Sequence, residues 1–167
     1  AGIRARLPGA KVEYAPGPEI RRDIASWMDN LMPEAKKVPQ TPEQAEAAFQ
    51  TAVATARSAD AVMMVLGENA DMAGEAASRA SRDLPGRQEE LLKAVVALGK
   101  PVVLVLLNGR PLSIGWAAEN VPAILEAWEP GSEGGHAVAD ILFGDVNPGG
   151  KLPVAFPRKG SHAPLYY

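Results

Sequence analysis

A chain of 167 residues, 47% of them hydrophobic and 22% charged, has ordinary globular proportions and enough length for one domain with a real core. Its net charge of -3 and the lack of any lysine- and arginine-rich run predict that nucleic acid is not a partner. The absence of cysteine excludes disulfides and thiolate metal sites, and two distant histidines, His136 and His162, predict no metal centre. All apolar runs are far shorter than the roughly 20 residues that span a bilayer, so we expect no membrane partner.

The two ends of the chain predict a piece of a longer polypeptide. Residues 2–7 have the pattern of the tail of an amphipathic helix that Pro8 and Gly9 end, and such a tail implies preceding residues. At the other end, 159–167 stops on aromatic residues and predicts the start of a linker to a following domain. Between them, 11–15 predicts a short strand, and 19–40, which contains prolines, predicts an irregular excursion.

Thr41 begins a helix by a local signal. Its side chain can cap the helix, Pro42 suits the first helical position, and Gln44 completes a Thr-x-x-Gln capping box. Apolar residues then recur at helical spacing from position 45 to position 56. This pattern predicts a helix with one buried face.

Strands and helices alternate through the rest of the chain. Apolar runs at 61–66 and 101–107 predict strands covered on both faces, 123–128 predicts a third strand, and 152–156 predicts a last strand of either orientation. Helices are predicted at 87–98, at 114–119, and from about 134 to a stop at Gly144. We therefore predict an α/β fold over 1–158: a three-layer sandwich with a mainly parallel sheet and helices on both faces.

Loops at the carboxyl ends of parallel strands meet at one edge, where such sheets bind ligands. The loops 67–83, 108–113 and 128–133 should therefore converge. The first of them is long for a compact domain, which is typical of a functional or mobile segment. Its charged residues are Glu68, Asp71, Glu75, Arg79, Arg82 and Asp83.

From the residues alone, several readings stay open at this edge. Trp128 can stack on a sugar or cap the core. Arg110 can reach a ligand or form a structural ion pair, and Glu75 with Arg79 can be functional or a solvated pair. The glycines at 131–135 could seat an anion, but no dinucleotide or phosphate-loop motif occurs, so we expect no nucleotide cofactor.

Five motifs occur in a fixed order along 59–158. They are Leu84-Pro85 followed by Gln88, Gly99-Lys100-Pro101, Asn108-Gly109-Arg110-Pro111, Gly131-x-Glu133-Gly134-Gly135, and Asn147-Pro148-x-Gly150-Lys151-Leu152-Pro153. This series resembles the second domain, the α/β sandwich, of family 3 glycoside hydrolases, the family of β-glucosidases and β-xylosidases. The similarity is greatest to bacterial periplasmic β-glucosidases.

The resemblance implies a division of the catalytic machinery. In that family the nucleophilic aspartate lies on a (β/α)8 barrel, and a loop of this second domain supplies the acid/base glutamate. The matching segment here runs from Glu75 to Arg79, so the resemblance implies Glu75 as acid/base and Arg79 as its basic companion. Ser78 replaces the family's common aspartate, and Glu68 is the rival carboxylate. Glu68, Arg79 and Trp128 are the implied substrate contacts.

The resemblance implies part of a larger, multidomain retaining β-glycosidase that hydrolyses terminal β-linked sugars. Its implied partners are a β-glucoside or oligosaccharide and the barrel domain, with a homodimer as a further possibility, and its implied location is periplasmic or secreted. With the nucleophile elsewhere, the isolated chain should be inactive. The alternative is a non-catalytic carbohydrate-binding or interdomain scaffold module in which Glu75 is solvated.

Overall fold

The computed structural model describes residues 2–22, 24 and 39–159. Most of the predicted 19–40 excursion and nearly all of the predicted linker 159–167 lie outside the described residues. Eight elements are present in the described part: α1 Gly2–Arg6, α2 Pro42–Ser58, β1 Val62–Gly67, α3 Gln88–Val96, β2 Val102–Leu107, α4 Gly115–Asn120, β3 Ala123–Glu126 and α5 Gly134–Leu142. None of these helices combines the length and the apolar character needed to cross a membrane.

The described strands form one parallel sheet in the order β1-β2-β3. Three of the predicted strands are thereby confirmed, each within two residues of its predicted bounds. β3 ends at Glu126, before the predicted end at Trp128, because Trp128 has a φ of 51° and so leaves extended geometry. The backbone still follows the sheet there, since Asn108 N donates to Trp128 O at 3.2 Å.

Two predicted strands are wrong. Neither 11–15 nor 152–156 forms a strand among the described residues. In the second segment Pro153 has no N–H to donate to a ladder, which disfavours pairing. In the first, the described contacts come from side chains, such as Arg4 to Val12 O at 3.4 Å, and Tyr14 is 79% exposed.

The helix signals are confirmed. Thr41 Oγ1 accepts from Gln44 N at 3.3 Å while Gln44 Oε1 accepts from Thr41 N at 2.9 Å, which is the predicted capping box. Gly99 and Gly144 both have positive φ after α3 and α5, as their predicted stop positions require.

One main core lies on one face of the sheet. It joins Phe49 and Val53 of α2, Leu92 of α3 and Ala117 of α4 to Leu104 and Leu106 of β2, which are fully buried. Val105 points to the opposite face, yet it is only 1% exposed and lies outside this cluster. Both faces of the central strand are therefore covered, as the predicted sandwich requires.

Candidate functional site

The three predicted loops meet at the carboxyl edge of the sheet. Glu68 N donates to Leu107 O at 2.8 Å, and Asn108 bonds the backbone of Trp128, so the ends of β1, β2 and β3 lie side by side. This confirms the predicted convergence. A cleft of about 430 Å³ opens there; its lining residues are Glu68, Asn69, Ala70, Ala73, Leu107, Asn108, Gly109, Trp128 and Glu129.

Gly67 joins β1 to the 67–83 loop in a conformation that excludes a side chain. Its φ is 139°, and a Cβ there would lie 1.8 Å from Leu107 O. Gln88, which is 7% exposed, completes the junction: its Oε1 accepts from Gly67 N and its Nε2 donates to Gly67 O, each at 2.7 Å. In the sequence, Gln88 stands out only as part of a family motif, which does not predict its contact with Gly67. The signal for this contact is an amide side chain among the apolar positions of α3.

Glu68, the first residue after β1, is buried in an ion-pair cluster. Its side chain is 1% exposed and that of Arg79 is 2% exposed, and Arg79 Nη1 donates to Glu68 Oε1 at 2.9 Å. Arg110 Nε lies 3.0 Å from the same oxygen, within ion-pair distance but not aligned as a hydrogen bond. Gly109 N donates to Oε2 at 3.3 Å. One carboxylate thus faces two guanidinium groups. Of the two alternatives predicted for Arg110, the structure shows the structural ion pair.

The same two arginines also hold the backbone of the 67–83 loop. Arg79 Nη2 donates to Asp83 O at 2.8 Å, and Arg110 Nη2 donates to Met72 O. Met72 is fully buried. Near its end the loop pairs with the segment before α4, where Ser113 N donates to Arg82 O at 2.8 Å. The loop is therefore fixed on both sides of its centre.

Glu75 lies at the exposed centre of this loop, between Gly74 with a φ of 93° and Ala76 with a φ of 58°. It forms no hydrogen bond or ion pair with any described residue. The solvated Glu75–Arg79 pair is not formed, because Arg79 turns inward to Glu68. The structure thus brings Glu68 together with Arg79 and places Glu68 and Trp128 around one cleft, whereas Glu75 lies apart.

Trp128 contacts both the cleft and the C-terminal segment. It lines the cleft, and its ring centroid lies 5.7 Å from that of Phe156 at an interplanar angle of 50°. The half-buried indole therefore has a packing partner and also borders the open space. Beside it, Asn108 is 2% exposed; its Nδ2 donates to Arg110 O at 2.9 Å, whereas its Oδ1 has no partner in the described part of the chain. Asn108 was not predicted as a site residue. The signal for it is a polar residue directly after a strand that is covered on both faces.

Glu126, at the end of β3, is a half-buried carboxyl that accepts hydrogen bonds from two residues lining this cleft, Asn108 and Trp128. Burial raises its pKa, and the hydrogen bonds from Trp128 N at 2.9 Å and from Asn108 Nδ2 at 3.4 Å oppose that rise. Among the described residues no group of His, Cys, Asp or Glu has the arrangement to hold a metal ion. At the start of α5, His136 Nδ1 lies 2.7 Å from Glu133 Oε2, both on the surface.

The raised pKa of Glu126 predicts a pH effect on stability. The contribution of Glu126 is fully present below its ordinary pKa of 4.5 and is lost as the pH rises through the higher folded value. Glu126→Gln, which stays neutral, should therefore gain stability relative to the parent over the range from pH 4.5 upward. Urea unfolding midpoints of both proteins across this range measure the difference. A difference that stays flat or changes in the opposite direction would contradict the effect.

Comparison with known proteins shows which family this chain belongs to. The family model described as "Glycosyl hydrolase family 3 C-terminal domain" matches residues 1–167. The periplasmic beta-glucosidase of Salmonella typhimurium is 47% identical over 170 residues, covering 100% of this chain and 22% of that protein. A beta-xylosidase of Formosa agariphila is 50% identical over 119 residues, covering 71% of this chain and 16% of that protein.

Among solved structures, a β-glucosidase from Erythrobacter marinus matches with a TM-score of 0.81 and 42% identity, covering 99% of this chain and 23% of that chain. This chain therefore spans less than a quarter of each of these relatives. The structural match confirms the predicted α/β sandwich, and the family match covers the whole chain. The resemblance seen in the motifs is therefore confirmed. The chain belongs to glycoside hydrolase family 3 and corresponds to the C-terminal domain of that family.

Proposed function

We propose that this domain is part of a retaining β-glycosidase that hydrolyses terminal β-linked sugars, β-glucosides among them, and that Glu75 is its acid/base. One observation carries the assignment of Glu75. It is the exposed carboxyl at the centre of a loop that is anchored on both sides at the carboxyl edge of the sheet. Such a carboxyl can reach a substrate held by another domain, whereas a buried one cannot.

The chemistry needs two carboxyl groups roughly 5 to 5.5 Å apart. One attacks the anomeric carbon while the other donates its proton to the departing oxygen; the second then removes a proton from the water that hydrolyses the glycosyl-enzyme. In our proposal Glu75 is the proton-transferring group, and the nucleophilic aspartate comes from a (β/α)8 barrel outside this chain. A general acid works best when partly buried, and docking on the barrel and sugar would supply that burial for Glu75.

The cleft next to the loop has the character of a sugar-binding surface. Trp128 offers an aromatic face, and Asn69 and Glu129 offer polar groups around it. Glu68 and Arg79, predicted as substrate contacts, have almost no exposed side-chain surface. We propose that these two support the loop and that Trp128 contacts the sugar.

The name of one relative supports a proposal about cellular location. The Salmonella typhimurium relative is named a periplasmic beta-glucosidase, and we propose a periplasmic or secreted location for this enzyme as well. The barrel partner and a homodimer stay predictions.

The overall activity has a direct test. The full-length enzyme should hydrolyse nitrophenyl β-glucoside, and proton NMR of the first product should show the β-anomer, because two displacements restore the starting configuration. The isolated 167-residue chain should show no turnover, since it lacks the nucleophile. An α-anomer as first product, or turnover by the isolated chain, would refute the proposed division of roles. No turnover by either protein would favour the scaffold alternative.

A further inference from the structure

We propose that Glu68 is a positioning residue for the acid/base: its buried carboxylate, acting through Arg79 and Arg110, fixes the 67–83 loop and so sets where Glu75 stands. The proposal rests on the role proposed for Glu75. It gives Glu68 a function different from both proton transfer and sugar binding.

The geometry links one carboxylate to both sides of the loop. Arg79 and Arg110 each use one nitrogen on Glu68 and another on a loop carbonyl. The carbonyls belong to Met72, three residues before Glu75, and to Asp83, eight residues after it. The guanidinium groups are therefore oriented by Glu68, and the loop backbone is held by the guanidinium groups.

Close packing reinforces this arrangement at the turn after β2. Glu68 Oε2 accepts from Gly109 N, and a Cβ on Gly109 would lie 2.5 Å from Ala73 Cβ. The loop thus lies directly on that turn next to Glu75. Ala76 holds a φ of 58°, a conformation that a non-glycine residue keeps only when its surroundings impose it.

Removing the charge of Glu68 should release the loop. Arg79 is 2% exposed and Arg110 27% exposed, and Glu68 is the only carboxylate that either contacts among the described residues. Without it, two largely buried cations lose their counter-charge and must move toward water or new acceptors. Movement of either guanidinium removes a hydrogen bond from Met72 O or Asp83 O.

The test uses the full-length enzyme and three variants: Glu68→Gln, Arg79→Lys and Glu75→Ala. Glu68→Gln keeps the shape of the side chain and loses its charge; Arg79→Lys keeps a charge and loses the second nitrogen that reaches Asp83 O. A misplacement of about 1 Å can lower a rate by about 10²-fold. We expect Glu68→Gln and Arg79→Lys each to lose about that factor in kcat on glucosides with poor leaving groups, with little change in KM. With a dinitrophenyl leaving group, which needs no proton, the rate of glycosyl-enzyme formation should fall much less, although the hydrolysis of the glycosyl-enzyme should still slow.

A second readout follows the loop itself. Amide hydrogen exchange in the 67–83 loop should accelerate in Glu68→Gln, while exchange in α2 stays as in the parent. Glu90→Gln is the matched control, because it removes the charge of a carboxylate on α3 that forms an exposed ion pair with Arg87, the residue before that helix. It should change neither the loop exchange nor the dependence on leaving group.

The outcomes separate this proposal from the proposed function. If Glu75→Ala shows the leaving-group dependence and both support variants do not, the positioning role is overturned and the acid/base role stands. If Glu75→Ala lacks that dependence, the acid/base role of Glu75 and the positioning role of Glu68 are both overturned. The hydrogen-exchange data then still report whether Glu68 holds the loop. Should Glu68→Gln fail to fold, Arg79→Lys decides: unchanged loop exchange and unchanged leaving-group dependence in that variant would overturn the proposal.

Discussion

Glu75→Ala in the full-length enzyme should slow the hydrolysis of glucosides with poor leaving groups by about 10²- to 10⁴-fold, the usual contribution of general acid catalysis. A poor leaving group departs as an unstable alkoxide unless it receives a proton, and Glu75 is the proposed donor. A dinitrophenolate leaves without that proton. The glycosyl-enzyme should therefore form from a dinitrophenyl glucoside at nearly the parental rate and then accumulate. Burst kinetics at a series of leaving groups measure both effects.

Glu129 supplies the matched control for this prediction. It is an exposed carboxylate that lines the cleft beside the loop of Glu75, so its removal changes local charge as Glu75→Ala does. Glu129→Ala should show no dependence on the leaving group. If Glu129→Ala shows the dependence and Glu75→Ala does not, the acid/base assignment moves to Glu129.

Gly67→Ala should destabilise the domain on the order of 4 kcal/mol, combining roughly 1 to 3 kcal/mol of backbone strain at positive φ with about 1 to 3 kcal/mol of overpacking. The added Cβ would lie 1.8 Å from Leu107 O, and 2.6 Å from the carbon that carries it. Both are backbone atoms of the neighbouring strand, so no side-chain rotation relieves the clash. The end of β1 must separate from β2, which also disturbs the Gln88 contacts. Urea unfolding followed by circular dichroism measures the loss.

Gly99→Ala separates the two contributions. Gly99 also has a positive φ, 70°, but no atom of the described residues outside its own neighbours lies within 4 Å of the place that an added Cβ would take. It should therefore show the strain alone, about 1 to 2 kcal/mol. Equal losses in the two variants would mean that the clash with Leu107 is relieved at no cost.

Much of this fold follows from local patterns in the sequence. The capping box at Thr41 depends on residues three apart, and the structure reproduces both of its hydrogen bonds. The apolar run of β2 predicts a strand covered on both faces, and the structure confirms it, whereas β1 is not fully covered because Val65 is 52% exposed. Once the strands are known to be parallel, the convergence of their carboxyl ends follows.

The wrong strands and the missed contacts share one cause. Whether 152–156 pairs with a neighbour depends on the rest of the fold, and Pro153 within it weakens any ladder. The pairing of Arg79 with Glu68 spans an irregular loop whose path no periodic pattern specifies. The amide of Gln88 reaches Gly67 only because α3 packs beside β1. Such contacts are tertiary, so residue type and spacing alone do not define them.

Azide trapping tests the central assignment most directly. With a dinitrophenyl β-glucoside, the glycosyl-enzyme of Glu75→Ala lacks a base to activate water, whereas azide needs none. Azide should attack the anomeric carbon, displace the enzyme's carboxylate and restore turnover. Proton NMR should then identify β-glucosyl azide as the product of Glu75→Ala, and Glu68→Ala, which keeps the Glu75 carboxyl, should form much less. β-Glucosyl azide from Glu68→Ala but not from Glu75→Ala would give the acid/base role to Glu68, and none from either variant would place the acid/base outside this chain.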